Sequence, residues 1–319
     1  MGVAHLDAYA RLPQVRVVAL CSKNSRSLAG DFSAAGGNLN RPHMPQDTSS
    51  MHKYSNLERM LEDRDLDAID ICLPTDMHAD ASVAALAAGK HVLCEKPMAL
   101  SVPDCERMIE ASRRHNRVLM IAQVLRFWEE YRYLQQFAHS GEYGLLRSAT
   151  FTRSCGLPDW SGWLLDDARS GGPILDLLIH DIDQILLLFG TPDRVVAKSM
   201  GGPKGIAASF LYPSNAEVRL QGGWFPAGTP FSMGFQVRAE RAMLELTTVG
   251  LFISGETGQR KKVDLAGEDP FETELAYFAG CCRRGSQPDA CPPRDSAKAV
   301  EIALLLKQSS ASGGEQLKC

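Results

Sequence analysis

From Val15 to Gln123, short β-branched apolar runs alternate with amphipathic stretches, and this alternation constrains the fold more than any other feature of the chain. Val15 to Cys21, Asp67 to Leu73 (DAIDICL), His91 to Cys94 and Val118 to Gln123 are apolar enough to be strands covered on both faces. Between them, Ser55 to Glu62, the alanine-rich Ala79 to Ala88 with its Gly89 stop, and Pro103 to Arg114 behind the possible cap Ser101 have helical character. Strand, helix, strand in that order predicts a parallel sheet with helices on its faces.

Beyond Gln123 the pattern changes. A helix from Trp128 to His139 leads into alternating runs at Ser148 to Ser154, Val195 to Met200, Ala207 to Tyr212, Glu217 to Gln221, Phe231 to Ala239 and Met243 to Thr247. Successive strands without intervening helices predict a largely antiparallel open sheet, hence a second domain of α+β type. With 319 residues, more than one core usually holds, the expected division is 1–122 and 123–319. Two closing helices open at Asp269-Pro270 and at Asp295 or Ser296, the last of them able to pack back on the first domain. Ser309 to Gly314 reads as a frayed tail, and Gly-Gly-Pro-Lys-Gly at Gly201 to Gly205 as a turn joining two strands.

Charge and apolar content exclude several function classes. A formal net charge of -4, with no basic face interleaved with aromatics, argues against nucleic acid as a partner. No apolar run approaches the length of a membrane span, and the amino end has no secretory or lipidation signal. The nine cysteines have no Cys-x-x-Cys or Cys/His ligand spacing and read as reduced thiols, so the expected compartment is the cytoplasm.

Three segments carry candidate chemistry. The first, Ser170 to Gly190, predicts a helix from Pro173 to Phe189 that is apolar around most of its circumference and therefore buried. On one unbroken helix, Asp176, His180, Asp183 and Gln184 fall within an arc of about 100°. Asp176 and His180 stand at i and i+4, where a carboxylate can orient an imidazole and raise its basicity, as a general base needs. A hydrogen-bonded core network accounts for the same stripe equally well. A metal ligand set of Asp176, His180 and Asp183 is the weaker rival, and no metal is expected. The second segment, His91-Val-Leu-Cys-Glu95-Lys96-Pro97, runs a strand straight into an acid and a base, at the carboxyl edge where open parallel sheets bind ligands. A solvated Glu-Lys pair is its bland reading, and the Lys96-Pro97 bond can be cis or trans. The third, Leu73-Pro74-Thr75-Asp76-Met77-His78, also follows a strand, with Thr75 able to cap the next helix.

In their order and spacing, Leu73-Pro74-Thr75-x-x-His78, Glu95-Lys96-Pro97 and Gly171-Gly172-x-x-x-Asp176-x-x-x-His180-Asp181 resemble the Gfo/Idh/MocA family of glucose-fructose oxidoreductases and inositol dehydrogenases. The resemblance spans nearly the whole chain. It implies a Rossmann-type dinucleotide-binding domain, a carboxy-terminal α/β domain whose sheet forms a homodimer or homotetramer, and hydride transfer between NADP or NAD and a sugar-like or cyclitol-like hydroxyl. Lys96, Asp176 and His180 would then be the catalytic trio. Gly2, His5, Ser22, Lys23, Arg26, Leu73, Pro74, Thr75, His78, Glu95 and Lys96 would lie along the cofactor, and Gln123, Arg126 and Trp163 would line the substrate side. Trp160 and Trp163 can stack on a sugar face or simply pin a loop.

One departure stands out. Met1-Gly2-Val3-Ala4-His5 aligns with the end of the Gly-x-Gly-x-x-Gly signature, Gly2 in the place of its third glycine, so the opening strand and two glycines are missing from the sequence. The expectation is an amino-terminally truncated Rossmann domain whose inner strands lack a ladder partner, in a chain that starts at an internal methionine, about 10 to 20 residues late. After the strand ending at Cys21, Ser22-Lys23-Asn24-Ser25-Arg26 has no acid for the ribose hydroxyls, which favours NADP over NAD. Two alternatives stay open: a non-catalytic binding or sensor protein with an impaired dinucleotide site, and a redox-assisted lyase or glycosidase that regenerates its cofactor.

Overall fold

A computed structural model describes residues 1–33, 36–37, 47–200 and 204–319. The expected glycine turn at 201–205 falls largely outside these residues. They form two compact units, Met1–Val124 with Asp269–Ala297, and Leu125–Glu268 with Lys298–Cys319.

The first unit holds five parallel strands: β1 (Ala19–Cys21), β2 (His52–Tyr54), β3 (Ala68–Ile71), β4 (His91–Glu95) and β5 (Leu119–Ala122). β4 is buried from its second residue and β5 along its whole length, as strands covered on both faces must be. The strands do not make one sheet. β1 pairs with β2, and β3, β4 and β5 pair in that order, so among the described residues no strand is hydrogen-bonded between β1 and β3. The two edges expected to lack a partner therefore lack one here.

Caps behave as their chemistry requires in most places. Ser101 accepts a hydrogen bond from Asp104 N–H to open the helix Val102–His115, and Asp269 accepts from Phe271 N–H to open Pro270–Arg284. Thr75 does not cap: it is buried in a 3-10 turn, Thr75–Met77, and the helix His78–Ala87 follows without a side-chain cap.

The second unit is built on β6 (Leu146–Gly156), β7 (Arg194–Ser199), β8 (Lys204–Leu211), β9 (Glu217–Phe225), β10 (Ser232–Ala239), β11 (Ala242–Thr247), β12 (Gly250–Gly255), β13 (Arg260–Lys262) and β14 (Leu317–Lys318). Their order is β13-β12-β11-β10-β6-β9-β8-β7-β14, antiparallel throughout except for the parallel pair β6 and β9. Alternate residues point into the core, among them Phe151, Phe210, Leu220, Phe235, Val237 and Leu244. Their neighbours Thr150, Arg219, Gln221, Gln236 and Arg238 stay at least partly accessible on the other face.

Two expectations are corrected in this unit. The tail is not frayed: the last helix runs Pro293–Ala311, and the buried Ser309 hydroxyl takes a 2.9 Å hydrogen bond from Ala197 N–H. β14 then adds to the edge of β7. The single helix Pro173–Phe189 is also two, Pro173–Asp176 and Ile179–Phe189. The ladder slips at Leu178, whose N–H reaches back five residues to Pro173 O while Asp181 N–H reaches back only three to Leu178 O.

Gly222 and Gly223 in β9 show how tightly the central strands pack. A Cβ on Gly222 would lie 1.8 Å from Arg153 O of β6, one on Gly223 2.2 Å from Lys204 O of β8, and both residues have positive φ (155° and 139°). Replacing Gly222 with alanine is expected to cost about 3 kcal/mol or more, at the upper end for single substitutions. Thermal unfolding checks this, and a melting temperature within about a degree of wild type would contradict it.

Candidate active site

Parallel strands bring the loops that follow them to one edge of their sheet, and in the first unit the carboxyl edges of the two sheets collect most of the predicted residues. Ser22, Lys23 and Arg26 follow β1, Leu73, Pro74 and Thr75 follow β3, Lys96 follows β4 and Gln123 follows β5. Lys96 is partly accessible and its bond to Pro97 is cis. Gln123 is 1% exposed, and neither its amide nitrogen nor its amide oxygen has a hydrogen-bond partner among the described residues. An uncompensated buried amide costs about 1 to 3 kcal/mol, so its position at a ligand-binding edge suits a polar ligand group such as a carboxamide or hydroxyl.

His78 fastens two of these loops together. Its Nδ1 lies 2.9 Å from Pro97 O and its Nε2 2.9 Å from Leu73 O, so the ring ties the turn after β3 to the turn after β4. Burial lowers its pKa, and a neutral ring donates to only one of the two carbonyls at a time.

The loop after β1 is knit to itself. Asn24 N–H donates to the Ser22 hydroxyl at 3.1 Å, and Arg26 N–H to the Asn24 side chain at 3.0 Å. The Arg26 guanidinium holds Asp31 through contacts of 2.9 and 2.7 Å, and Asp31, bonded first by the Ser33 hydroxyl and then by Arg26, is lowered to about 2. Sequence reasoning found Arg26 but missed the acid five residues on. Both side chains are well exposed, so the pair is weak and leaves Arg26 free to exchange partners.

His5 lies beneath this edge rather than on it. It is 1% exposed, its Nδ1 is 2.8 Å from Asp70 Oδ2 and its Nε2 is 3.1 Å from Glu95 Oε1. The approach to Glu95 does not meet hydrogen-bond geometry, so charge attraction carries that contact. Tyr9 donates to the same Asp70 oxygen at 3.0 Å, and Cys72 to the other at 3.4 Å. Burial works against the charged ring, but the Asp70 carboxylate outweighs it and holds His5 protonated well above the ordinary histidine range. Glu95 is likewise penalised by burial yet lowered by His5 and Lys96. Cys72 is pushed up by burial to about 11, so it stays a thiol. An imidazolium flanked by two carboxylates, beside a neutral thiol, is a poor metal site despite its ligand types. Asp70, a charge inside an apolar strand run, was the signal that the sequence offered for this cluster.

Glu274, from the helix Pro270–Arg284, is fully buried, and neither of its oxygens has a hydrogen-bond partner among the described residues. Burial raises its pKa well above the ordinary value, His5 opposes the rise, and Glu95 and Asp70 reinforce it.

In the second unit, the slip at Leu178 falls between two of the predicted residues. Asp176 and His180, on either side of the slip, are partly accessible, whereas Asp181, Asp183 and Gln184 are buried. Asp183 takes both contacts of the Arg126 guanidinium, at 2.8 and 2.7 Å, so this carboxylate is committed to an ion pair rather than to a metal. The buried Arg126, expected at the substrate, is therefore anchored at its head group. Asp181 holds Arg153 of β6 at 2.6 and 3.1 Å, with Tyr131 accepting from the same guanidinium at 3.2 Å. Gln184 accepts from Gln135 at 3.3 Å. Trp163 is half-buried in the short turn Gly162–Leu165.

These features define an oxidoreductase fold with a dinucleotide-binding first unit. The family described as "Oxidoreductase family, NAD-binding Rossmann fold" matches residues 1–123, and the "GFO/IDH/MocA C-terminal domain" matches 131–245. The chain belongs to the Gfo/Idh/MocA family, and its cofactor is a nicotinamide dinucleotide, NAD or NADP. It is similar to D-xylose 1-dehydrogenase (NADP(+)) 2 of Haloferax volcanii, 30% identical over 249 residues that cover 74% of this chain and 75% of the relative. With 1,5-anhydro-D-fructose reductase of Ensifer adhaerens it shares 27% identity over 277 residues, 81% of this chain and 82% of the relative. In fold it is similar to levoglucosan dehydrogenase in complex with NADH and levoglucosan, with a TM-score of 0.83 at 18% identity over 100% of this chain and 96% of that one. No helix among the described residues is long and apolar enough to cross a membrane.

The buried charges set a pH dependence. His5, raised, contributes stability that is fully present below the ordinary histidine value of 6.5 and is lost as pH rises through its elevated value. Glu274, also raised, folds most favourably when neutral, so it too weakens the fold as pH rises above the ordinary carboxyl value of 4.5. Glu274→Gln should flatten the fall in melting temperature over the pH window that opens at the ordinary carboxyl value of 4.5 and extends upward. Thermal melts across that window check it, and an unchanged slope would contradict it.

Proposed function

We propose that the chain oxidises a secondary hydroxyl of a sugar or cyclitol, or reduces the matching ketone, with Lys96, Asp176 and His180 as its catalytic residues. The observation that carries this reading is the carboxyl edge, where a partly accessible amine and an unpartnered amide follow adjacent buried strands, β4 and β5. A bound nicotinamide supplies the hydride acceptor or donor. The Lys96 ammonium donates a hydrogen bond to the substrate oxygen and stabilises negative charge developing there. His180 takes the hydroxyl proton during oxidation and returns it during reduction, and Asp176 orients the ring. The Gln123 amide binds polar groups of ligand or cofactor, and Trp163 and Arg126 belong to the substrate side, Trp163 offering an apolar ring to a sugar face. Cofactor contacts fall to the backbone around Gly2, to Leu73, Pro74 and Thr75, and to Ser22, Lys23 and Arg26, with His5, His78 and Glu95 supporting from beneath.

Sugar-like substrates are supported by the names of the relatives. Net turnover of cofactor with a polyol separates this reading from the lyase, and any turnover separates it from the sensor. The oligomer, a homodimer or homotetramer, would form through the face of the nine-stranded sheet on which Thr150, Arg219, Gln221, Gln236 and Arg238 are accessible. Cysteines buried as small hydrophobes suit the cytoplasm.

Assayed with NAD and NADP against D-xylose, myo-inositol and 1,5-anhydro-D-fructose, Lys96→Ala and His180→Ala should each lower kcat by about 10²- to 10⁴-fold, the range for a lost acid-base group. Full activity in either variant would remove that residue from the mechanism. Arg26→Ala should weaken NADPH binding about tenfold or more and NADH binding little, as expected for a charge-assisted phosphate contact. Equal effects in a fluorescence titration of the two would contradict the preference for NADP.

A further inference from the structure

The cluster beneath the carboxyl edge has a direct line to Lys96. The Glu95 carboxylate is shared: one oxygen, Oε1, faces the His5 ring at 3.1 Å, and the other, Oε2, accepts the backbone N–H of Lys96 at 3.0 Å. His5 is held from its far side by Asp70 at 2.8 Å, and Asp70 in turn by Tyr9 at 3.0 Å. Four side chains from three elements thus end on one peptide group, that of Lys96. We infer that His5 is a positioning residue, whose role is to keep Glu95 ionised and aimed so that the Lys96 peptide, and with it the Lys96 amine, stays in one place. This inference rests on the reading that Lys96 handles substrate.

The charge balance makes the role specific. The charged and titratable groups around the contact between His5 and Glu95 are Asp70 and Cys72 at the end of β3, Tyr9 bonded to Asp70, Lys96 and the amino-terminal ammonium acting on Glu95, and Glu274 from the helix Pro270–Arg284. Asp70 and Glu95 are the two carboxylates in contact with the ring, and His5 is the one cation in contact with both. Removing its charge takes away the largest attraction that offsets the burial of Glu95 and leaves only the smaller ones of Lys96 and the amino-terminal ammonium. Such a carboxylate takes up a proton, and a protonated Glu95 is a weaker and differently directed acceptor for Lys96 N–H. Glu274 already illustrates that outcome nearby, as a buried carboxyl without a positive partner in contact that favours its neutral form. His5 therefore acts at the lysine through Glu95, although it is itself almost fully buried.

The test uses the whole chain and two readouts. In wild type, ¹⁵N-labelled His5 should keep the ring signals of an imidazolium at pH values where ordinary histidines have lost their proton. In His5→Gln, amide hydrogen exchange at Lys96 should accelerate about tenfold or more while the amides of β5 keep their rates, because local opening and global unfolding are separable. With the most active member of the substrate panel, kcat should fall about ten- to a hundredfold at constant KM, the effect of a misplaced catalytic group. The loss should shrink as pH rises and Glu95 reionises, and His5→Gln/Glu95→Gln should show no such recovery. Uniform acceleration of exchange across the first unit, or unchanged exchange at Lys96, would overturn the inference, as would a wild-type His5 that titrates like an exposed histidine. Lys96→Ala keeps the two claims apart. If that variant turns over normally, the catalytic reading of Lys96 fails while exchange still judges the brace. If it is inactive and His5→Gln matches wild type, the brace fails and the catalytic reading stands.

Discussion

The ion pairing of one buried imidazolium with two carboxylates organises the first unit. His5 comes from the opening helix, Asp70 from β3 and Glu95 from β4, so charge ties the opening helix to two strands that already pair with each other. In a low-dielectric interior such a triad is worth little as net stability, because desolvation offsets most of the attraction. Its value is geometric. Breaking it costs far more than forming it gains, so the arrangement is held in one state, and the loops that carry Pro74, Lys96 and Pro97 inherit that state.

The second unit solves a similar problem with guanidinium groups. Arg126 on Asp183 and Arg153 on Asp181 are bidentate or nearly so and almost fully buried. They fasten the helix Ile179–Phe189 to the segment after β5 and to β6 respectively. With those acids committed to arginines, the side chains of Asp176 and His180 remain partly accessible at the slipped start of the same helical stretch.

Much of this was legible in the sequence, and the reasons differ by element. β4 and β5 were clear because strands covered on both faces are continuous apolar runs, and the helix Val102–His115 because Ser101 and Pro103 mark its start. The motif residues Lys96, Asp176 and His180 stood out as polar groups at strand ends or on a buried helix. The slip at Leu178 was invisible, because periodicity assumes a regular 3.6-residue ladder and nothing in Leu177-Leu178 announces an exception. The closing edge strand Leu317–Lys318 was missed because two residues carry no pattern, and its place is decided by β7. The roles of His5 and Glu274 escaped for a related reason: their partners lie 65 or more positions away or in another helix, and only tertiary structure brings opposite charges within 3.1 Å.

The central claim is that the carboxyl edge built on this charge triad receives a nicotinamide dinucleotide. Titrating NADPH and NADH with the purified chain and following nicotinamide fluorescence tests it most directly, because binding needs neither the right substrate nor turnover. The account predicts saturable binding of at least one of the two with one site per chain. Absence of a saturable signal for both up to about 1 mM, the weak end of ordinary cofactor affinities, would contradict it.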